Sequence, residues 1–399
     1  MKKNNVRKKL LTRKKHKKRK RLLNLFFIFL VIFGLAYAGY TQLYPKYLAF
    51  QDKQKLLRAR PSVRYAKDGT SISAAWHKTD MYHDGIKKYS FAYKAAYNTP
   101  AATWDGFDFV IPGLISTRSY DYPRQRITKA TKMTPQGIAV VYKYILITAY
   151  DGAHEHSSAI WVLDKKTGKY LKTIHISGKP HLGGIAYDPK GMEIWITGSK
   201  NGKSALMSFS LAKLIEYINT DKSPSEYMEY DTDIPIDSIV KASTLAYYDD
   251  QLFVGYFNQY KRGKVATYKI SRSGKYKNTI TTNEITSVTD SVAWSSPDGS
   301  TTMNKQIQGI AIYHDKIFLS QSYGKNNSRL YIFPITAINN LDEKNAEKVI
   351  EMPPYLEQIT AYKGQLLCLF ESGSSKYASS KITVMDRVLS MNINALLGN

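Results

Sequence analysis

The sequence predicts an all-β fold, a β-propeller of five to six four-stranded blades, preceded by a single N-terminal transmembrane helix. Three observations carry this expectation: a motif that recurs five times from Gln136 onward, a constant spacing inside each recurrence, and an apolar run directly behind a basic N-terminus.

The recurrences open with Gln136-Gly137-Ile138-Ala139, Gly183-Gly184-Ile185-Ala186, Ser243-Thr244-Leu245-Ala246, Gln308-Gly309-Ile310-Ala311 and Glu357-Gln358-Ile359-Thr360. Each is followed by a second β-rich stretch: Ile145–Thr148, Ile194–Thr197, Leu252–Gly255, Ile317–Ser320 and Leu366–Leu369. Third strands are expected near Ser158, Ser204, Lys264, Ser328 and Ser380, which lie 22, 21, 21, 20 and 23 residues after their starts. The starts themselves stand 47, 60, 65 and 49 residues apart, so the variation falls in the connections after the third strand. A unit of this length, repeated with a fixed strand spacing, is a propeller blade; a β-sandwich would show no such repeat. Fourth strands are expected at Leu171–Ile176 and Val349–Met352, a short helix at 212–219, and insertions at 212–240 and 277–305. Residues 101–131 are expected to supply either a sixth blade or a strand that closes the ring by pairing into the last one.

Residues 1–21 hold thirteen Lys or Arg and no acid, so half of the formal charge of +26 lies there. Leu22 to Tyr40 follow as nineteen residues without a formal charge. A helix needs roughly 20 apolar residues to cross about 30 Å of hydrocarbon, and its basic flank stays cytoplasmic. The expected topology is a single-pass cell-membrane protein with an extracytoplasmic C-terminal domain. The alternative is secretion after cleavage near Ala38, since Ala36-Tyr37-Ala38 fits a small-x-small site; the apolar run continues into Tyr37, Tyr40 and Tyr44, which favours the anchor. Abutting an apolar run, the basic tail reads as a partner for the cytoplasmic membrane and its anionic lipid, not as a nucleic-acid arm. The resulting division is a basic tail (1–21), a transmembrane helix or uncleaved signal anchor (22–40), a stalk and entry segment (41–100) and the propeller (101–399).

Cys368 is the sole cysteine, which excludes an intramolecular disulfide; an exported domain without disulfides suits a bacterial, particularly Gram-positive, cell envelope. No cysteine stands directly after the apolar run to carry a lipid. The chain beyond residue 21 keeps 45 basic against 32 acidic residues, and the whole has 31 Tyr. Such a surface attracts anionic wall polymers or carbohydrate.

The first strand of each propeller blade lines the central channel. Gln136, Ser243, Gln308 and Glu357 are therefore expected to ring its mouth, with His181 filling the gap at Gly183 and Tyr150 beside them as ligand-binding residues. The loop Tyr150-Asp151-Gly152-Ala153-His154-Glu155-His156-Ser157 should reach the same mouth. His154, His156 and Asp151 are imidazole and carboxylate candidates for a divalent metal. His156 and Glu357 are the candidate catalytic pair, as general base and acid. No Gly-x-Ser-x-Gly elbow, phosphate-binding P-loop, paired zinc cysteines or His-Glu-x-x-His helix is present.

The repeats at Gln136 and Gln308, each followed by a strand and a polar loop, resemble blades of the propeller group that contains the senescence-marker/gluconolactonase, strictosidine-synthase-like and NHL families. The whole chain also looks like membrane-anchored or secreted extracytoplasmic propeller proteins of lactobacilli and related Firmicutes. The resemblance covers about 130–395 and implies the fold. Lactonases of that group hold a divalent cation through Glu, Asn and Asp; of the ring here only Glu357 matches, which argues against that activity.

The expected function is an envelope propeller that binds a wall polymer, a sugar or another envelope protein at its channel mouth without catalysis. The alternative is a metal-assisted hydrolase, lactonase or lyase acting at the same place.

Overall fold

The computed structural model describes residues 2–98, 109–200, 202–236, 241–256, 258–274, 277–280 and 305–398. It divides into two compact units, residues 1–58 and 59–399. The first is helical: α1 (Lys2–Ala38), one π-helical turn (Gly39–Leu43) and α2 (Tyr44–Arg58). This helix is long and apolar enough to cross a membrane, and the side chains of Leu22 to Phe33 are exposed along it.

The second unit opens with two short helices, α3 (Thr79–Ile86) and α4 (Ser90–Tyr97). Strand β1 (Phe109–Val110) and the hairpin β2 (Thr117–Asp121) and β3 (Arg126–Ala130) come next. Blade one is β4 (Met133–Val141), β5 (Tyr144–Asp151), β6 (Ala159–Asp164) and β7 (Tyr170–His175). Blade two is β8 (Ile185–Asp188), β9 (Glu193–Lys200), β10 (Lys203–Ser210) and, after helix α5 (Leu211–Asn219), β11 (Thr232–Pro235). Blade three has β12 (Thr244–Tyr248), β13 (Gln251–Tyr256) and β14 (Lys264–Lys269) among the described residues. Blade four is β15 (Ile307–Tyr313), β16 (Lys316–Gln321), β17 (Ser328–Pro334) and β18 (Lys348–Met352). Blade five is β19 (Leu356–Tyr362), β20 (Gln365–Phe370), β21 (Arg387–Asn392) and β1.

Every sheet is antiparallel, and β4, β8, β12, β15 and β19 touch one another in turn around a closed ring. The ring is locked by chain ends: Phe109 pairs with Val388 and Val110 with Arg387, so an N-terminal strand completes the blade built by the C-terminus. Closure of this kind leaves no open inner edge. It answers the open alternative at 101–131: five blades form, residues 109–110 close the last of them, and 117–130 make a two-stranded hairpin instead of a sixth blade. Residues 101–108 lie outside the described residues, as does most of the insertion expected at 277–305.

One sequence expectation is corrected here. The third strand of blade five starts at Arg387 and not near Ser380, because residues 371–386 form an ordered loop between β20 and β21. The segment 41–100, expected as a stalk and entry, belongs to two different units: its first part continues the helix to Arg58, and 59–98 is part of the propeller unit. There Tyr82, Ile86, Tyr89, Ala92 and Ala95 are buried against Phe318, Leu330, Cys368 and Leu389 of blades four and five. Aromatic spacing on two short helices reads weakly in sequence because each offers only one or two turns of period.

The core sits between blades. Alternation along each strand sends successive side chains to opposite neighbours: on β13, Leu252 and Val254 pack with Trp195 and Leu206 of blade two, while Phe253 packs with Ile310 and Ile317 of blade four. Both faces are buried, which is why Ile145-Leu146-Ile147 and Leu366-Leu367-Cys368-Leu369 read as unbroken apolar runs. Cys368 is fully buried, and burial pushes its thiol pKa well up, so it is an inert core residue.

Candidate functional site at the channel mouth

In three inner strands the ladder slips where the motif begins. The register shifts between Pro135 and Ile138 on β4, between Ile307 and Gly309 on β15, and between Leu356 and Ile359 on β19. A bulge releases residues from the ladder and re-aims them. Gln136, Gly137, Gln308, Glu357 and Gln358 are the residues released, and the four with side chains beyond hydrogen turn them towards the channel.

Gln358 closes the channel. Its Oε1 accepts from the Ile185 N–H at 3.0 Å, and its Nε2 donates to the Ile185 carbonyl at 2.7 Å and the Leu245 carbonyl at 3.1 Å. The equivalent positions elsewhere are glycine in three blades. A Cβ on Gly137 would lie 2.8 Å from Gln358 Oε1, and one on Gly309 would lie 2.9 Å from Gln358 Cα. Gly137 makes room for the amide that ties blade five to blades two and three, and Gly309 makes room for the backbone that carries it.

This plug separates two cavities. The one on the far side, about 1080 Å³, is lined by small and aliphatic residues such as Ala139, Ala186, Leu245 and Ala311, and by Tyr142, Tyr187, Tyr247 and Tyr362 with Lys143 and Lys165. The one on the motif side, about 910 Å³, is polar and aromatic, and its volume falls in the ordinary range of ligand sites. All six residues expected to bind ligand line it: Gln136, Tyr150, His181, Ser243, Gln308 and Glu357.

The sequence did not single out Glu371, Tyr355 or Tyr377, which line the same cavity. They belong to the entry to β19 and to the 371–386 loop, whose length breaks the repeat. That loop is held from several sides. Trp76 Nε1 donates to the Gly373 carbonyl at 2.6 Å, the Met385 N–H to Ser372 Oγ at 3.0 Å, and Ser375 Oγ to the Thr131 carbonyl at 2.6 Å. Asp386 accepts from the Trp76 N–H at 2.7 Å and the Arg387 guanidinium at 2.6 Å.

One wall of the cavity is aromatic. His181 stacks on Tyr150 at 4.2 Å between ring centroids, and Tyr355 lies 4.8 Å from Tyr377. Lys376 donates to the Tyr150 hydroxyl at 2.9 Å and stands 4.9 Å over the Tyr377 ring. His181 is exposed to the cavity yet crowded by its walls, and this desolvation, with Lys376, His154 and Lys241 nearby, lowers its pKa to about 4, so its imidazole is neutral at pH 7.

Beside that wall are two buried carboxyls, Glu357 at 5% exposure and Glu371 at 8%. Gln136 Nε2 donates to Glu371 and to the Pro135 carbonyl. No hydrogen bond reaches the Glu357 side chain among the described residues. Burial raises both acids: Glu371 to about 7, against the opposing hydrogen bond from Gln136 and the positive charge of Lys376, and Glu357 well above its usual range through burial and the Glu371 charge.

The metal and catalytic expectations for the 151–156 loop are not met in this geometry. Among the described residues no three His, Cys, Asp or Glu side chains converge to hold a metal ion. Asp151 and His156 do meet, at 2.8 Å, but as a structural lock. Asp151 also accepts from the N–H groups of Ala153, Glu155 and His156. Burial alone would raise its carboxyl, but these bonds outweigh it and hold the pKa below the usual range. His156 Nε2 meets Thr128 Oγ1 at 2.8 Å and faces Asp121 at 3.6 Å, which pins the β2–β3 hairpin to blade one. It is not among the cavity's lining residues, so it is not paired with Glu357 there. His154 instead lies 5.5 Å from the Tyr150 ring. His156→Ala is accordingly expected to lower thermal stability by about 2 kcal/mol, the range for leaving a buried carboxylate short of a partner, measured as a shift in chemical-denaturation midpoint.

No protein-family model matches the sequence, and no curated protein matches it. Solved structures with a similar backbone include the PQQ-bound aldose sugar dehydrogenase of Streptomyces coelicolor, at 12% identity over 73% of this chain and 99% of that one, with a TM-score of 0.39. The hydrazine synthase of Kuenenia stuttgartiensis is similar at 9% identity, 59% of this chain, 55% of that one and a TM-score of 0.31. The WD40 β-propeller domain of Doa1 is similar at 10% identity, 60% of this chain, 62% of that one and a TM-score of 0.26. The chain spans just over half the length of the hydrazine synthase chain. The assignment as a five-bladed β-propeller rests on the chain's own strand pairing.

Proposed function

We propose that the chain is a membrane-tethered propeller, facing outward from the cytoplasmic membrane, whose channel mouth binds a saccharide of the cell envelope. The observation that carries this reading is the composition of one cavity: its wall is aromatic, with the half-buried Tyr377 presented to the space beside the buried Tyr150 and Tyr355, and such a ring suits the C–H surface of a sugar. Gln136, Ser243, Gln308 and the two carboxyls offer donors and acceptors for its hydroxyls. Lys203 and Lys241 at the rim suit an anionic substituent such as the phosphate or carboxylate of a wall polymer. The basic residues before Leu22 support the orientation by the positive-inside rule.

The test uses the full chain in detergent micelles on an array of bacterial wall saccharides. Selective retention is expected, weakening as salt rises if the ligand is anionic. Tyr377→Ala is expected to lower affinity about tenfold, since an aromatic contact of this kind contributes about 1 kcal/mol beyond its area. Absence of retention, or retention indifferent to Tyr377→Ala, would sink the reading.

A further inference from the structure

We propose that Glu357 and Glu371 are an acid–base dyad that hydrolyses a glycosidic bond of the saccharide seated at the channel mouth, an inference that rests on the binding reading above. The two carboxyls come from different segments, the β19 bulge and the loop after β20, yet line one cavity. A side chain that is 95% buried, unpartnered among the described residues and open to a ligand-sized space needs a partner from outside the chain. Glu357 is such a group.

The surroundings divide the two roles. Among the described residues nothing donates to the Glu357 carboxyl, so in its buried place it keeps its proton and is the general acid. Glu371 is held by the Gln136 amide and lies in the field of Lys376, which favour its ionised form, so it is the general base. In the step, Glu357 gives its proton to the glycosidic oxygen as the bond from that oxygen to the anomeric carbon breaks. A water oxygen forms the new bond to the anomeric carbon, and a proton of that water passes to the Glu371 carboxylate. Saccharide and water become two shorter saccharides; Glu371 then releases its proton to solvent and Glu357 takes one up, which restores the dyad. His156, read from sequence as the partner of Glu357, has no part in this step.

The experiment takes the saccharides retained by the full chain on the wall-saccharide array and measures reducing-end release from each in solution. Wild type is expected to release reducing ends, at a rate that rises with pH towards about 7 as Glu371 ionises. E357Q and E371Q are each expected to cut release by at least about 100-fold, the usual share of a general acid or base, and E371Q also to flatten the acidic limb of the profile. Thermal melts of the variants separate loss of chemistry from loss of fold. Retention by wild type without reducing-end release overturns the dyad and leaves the binding reading standing. Release that survives both substitutions also overturns it, and absence of any retained saccharide overturns both.

Discussion

Gln358→Ala is expected to destabilise the propeller by about 4 kcal/mol, more than any other single polar-to-alanine change at the channel. The residue is 1% exposed and makes three hydrogen bonds to backbone groups of two other blades. Each buried backbone group left without its partner costs about 1–3 kcal/mol, and the lost amide also joins the two cavities that it separates. Denaturant titration of the variant should show a lowered midpoint, and a small dye excluded from the wild-type channel should enter from the far side. A variant as stable as wild type would mean that the amide is a passive filler. Gln358→Glu should be nearly as damaging, since an ionised carboxylate cannot donate to the Ile185 and Leu245 carbonyls.

Removing one acid of the buried pair is expected to do the reverse. Glu371 has a folded pKa of about 7 against an ordinary 4.5, so the folded state binds the proton more tightly than the unfolded state. Stability from that proton is complete below pH 4.5 and is lost as pH rises through about 7. At 1.36 kcal/mol per unit the loss is roughly 3 kcal/mol by pH 8. Glu371→Gln preserves the acceptor for Gln136 and removes the titrating group. The variant should match wild type near pH 5 and melt at a higher temperature at pH 8. His175 and His181, each with a folded pKa lowered to about 4, act oppositely, making the fold less stable as pH falls from 6.5. They are common to both proteins, so the difference between the two melting curves reports Glu371 together with its coupling to Glu357. Curves that stay parallel from pH 5 to 8 would show that the carboxyl is not titrating in that window.

Both residues show where sequence reading stops. Gln358 is visible in the repeat as the second residue of Glu357-Gln358-Ile359-Thr360, at the position where Gly137 and Gly309 stand. Its role is not visible, because a side chain that crosses a channel depends on what the other four blades place opposite. Glu371 lies in the stretch where the third strand was expected seven residues too early, and a repeat template carries no information about a loop that departs from it. His156 failed for a different reason. A His-Glu-His loop looks the same whether its imidazole faces a ligand or a neighbouring hairpin, and the Asp121–His156–Asp151 contacts join segments 30 residues apart.

What the sequence determined by itself was the radial plan. Strand alternation is local, the spacing from first to third strand is nearly constant in four of the five repeats, and so the mouth residues Gln136, Ser243, Gln308 and Glu357 could be named by register alone. The apolar run from Leu22 likewise identified the helix able to cross a membrane, since length and hydropathy suffice for that. Only the tertiary structure decided that five blades close on Phe109 and Val110, that an amide plugs the channel, and that a second carboxyl joins Glu357. Each of these depends on contacts between segments far apart in the chain, whose partners local periodicity does not encode.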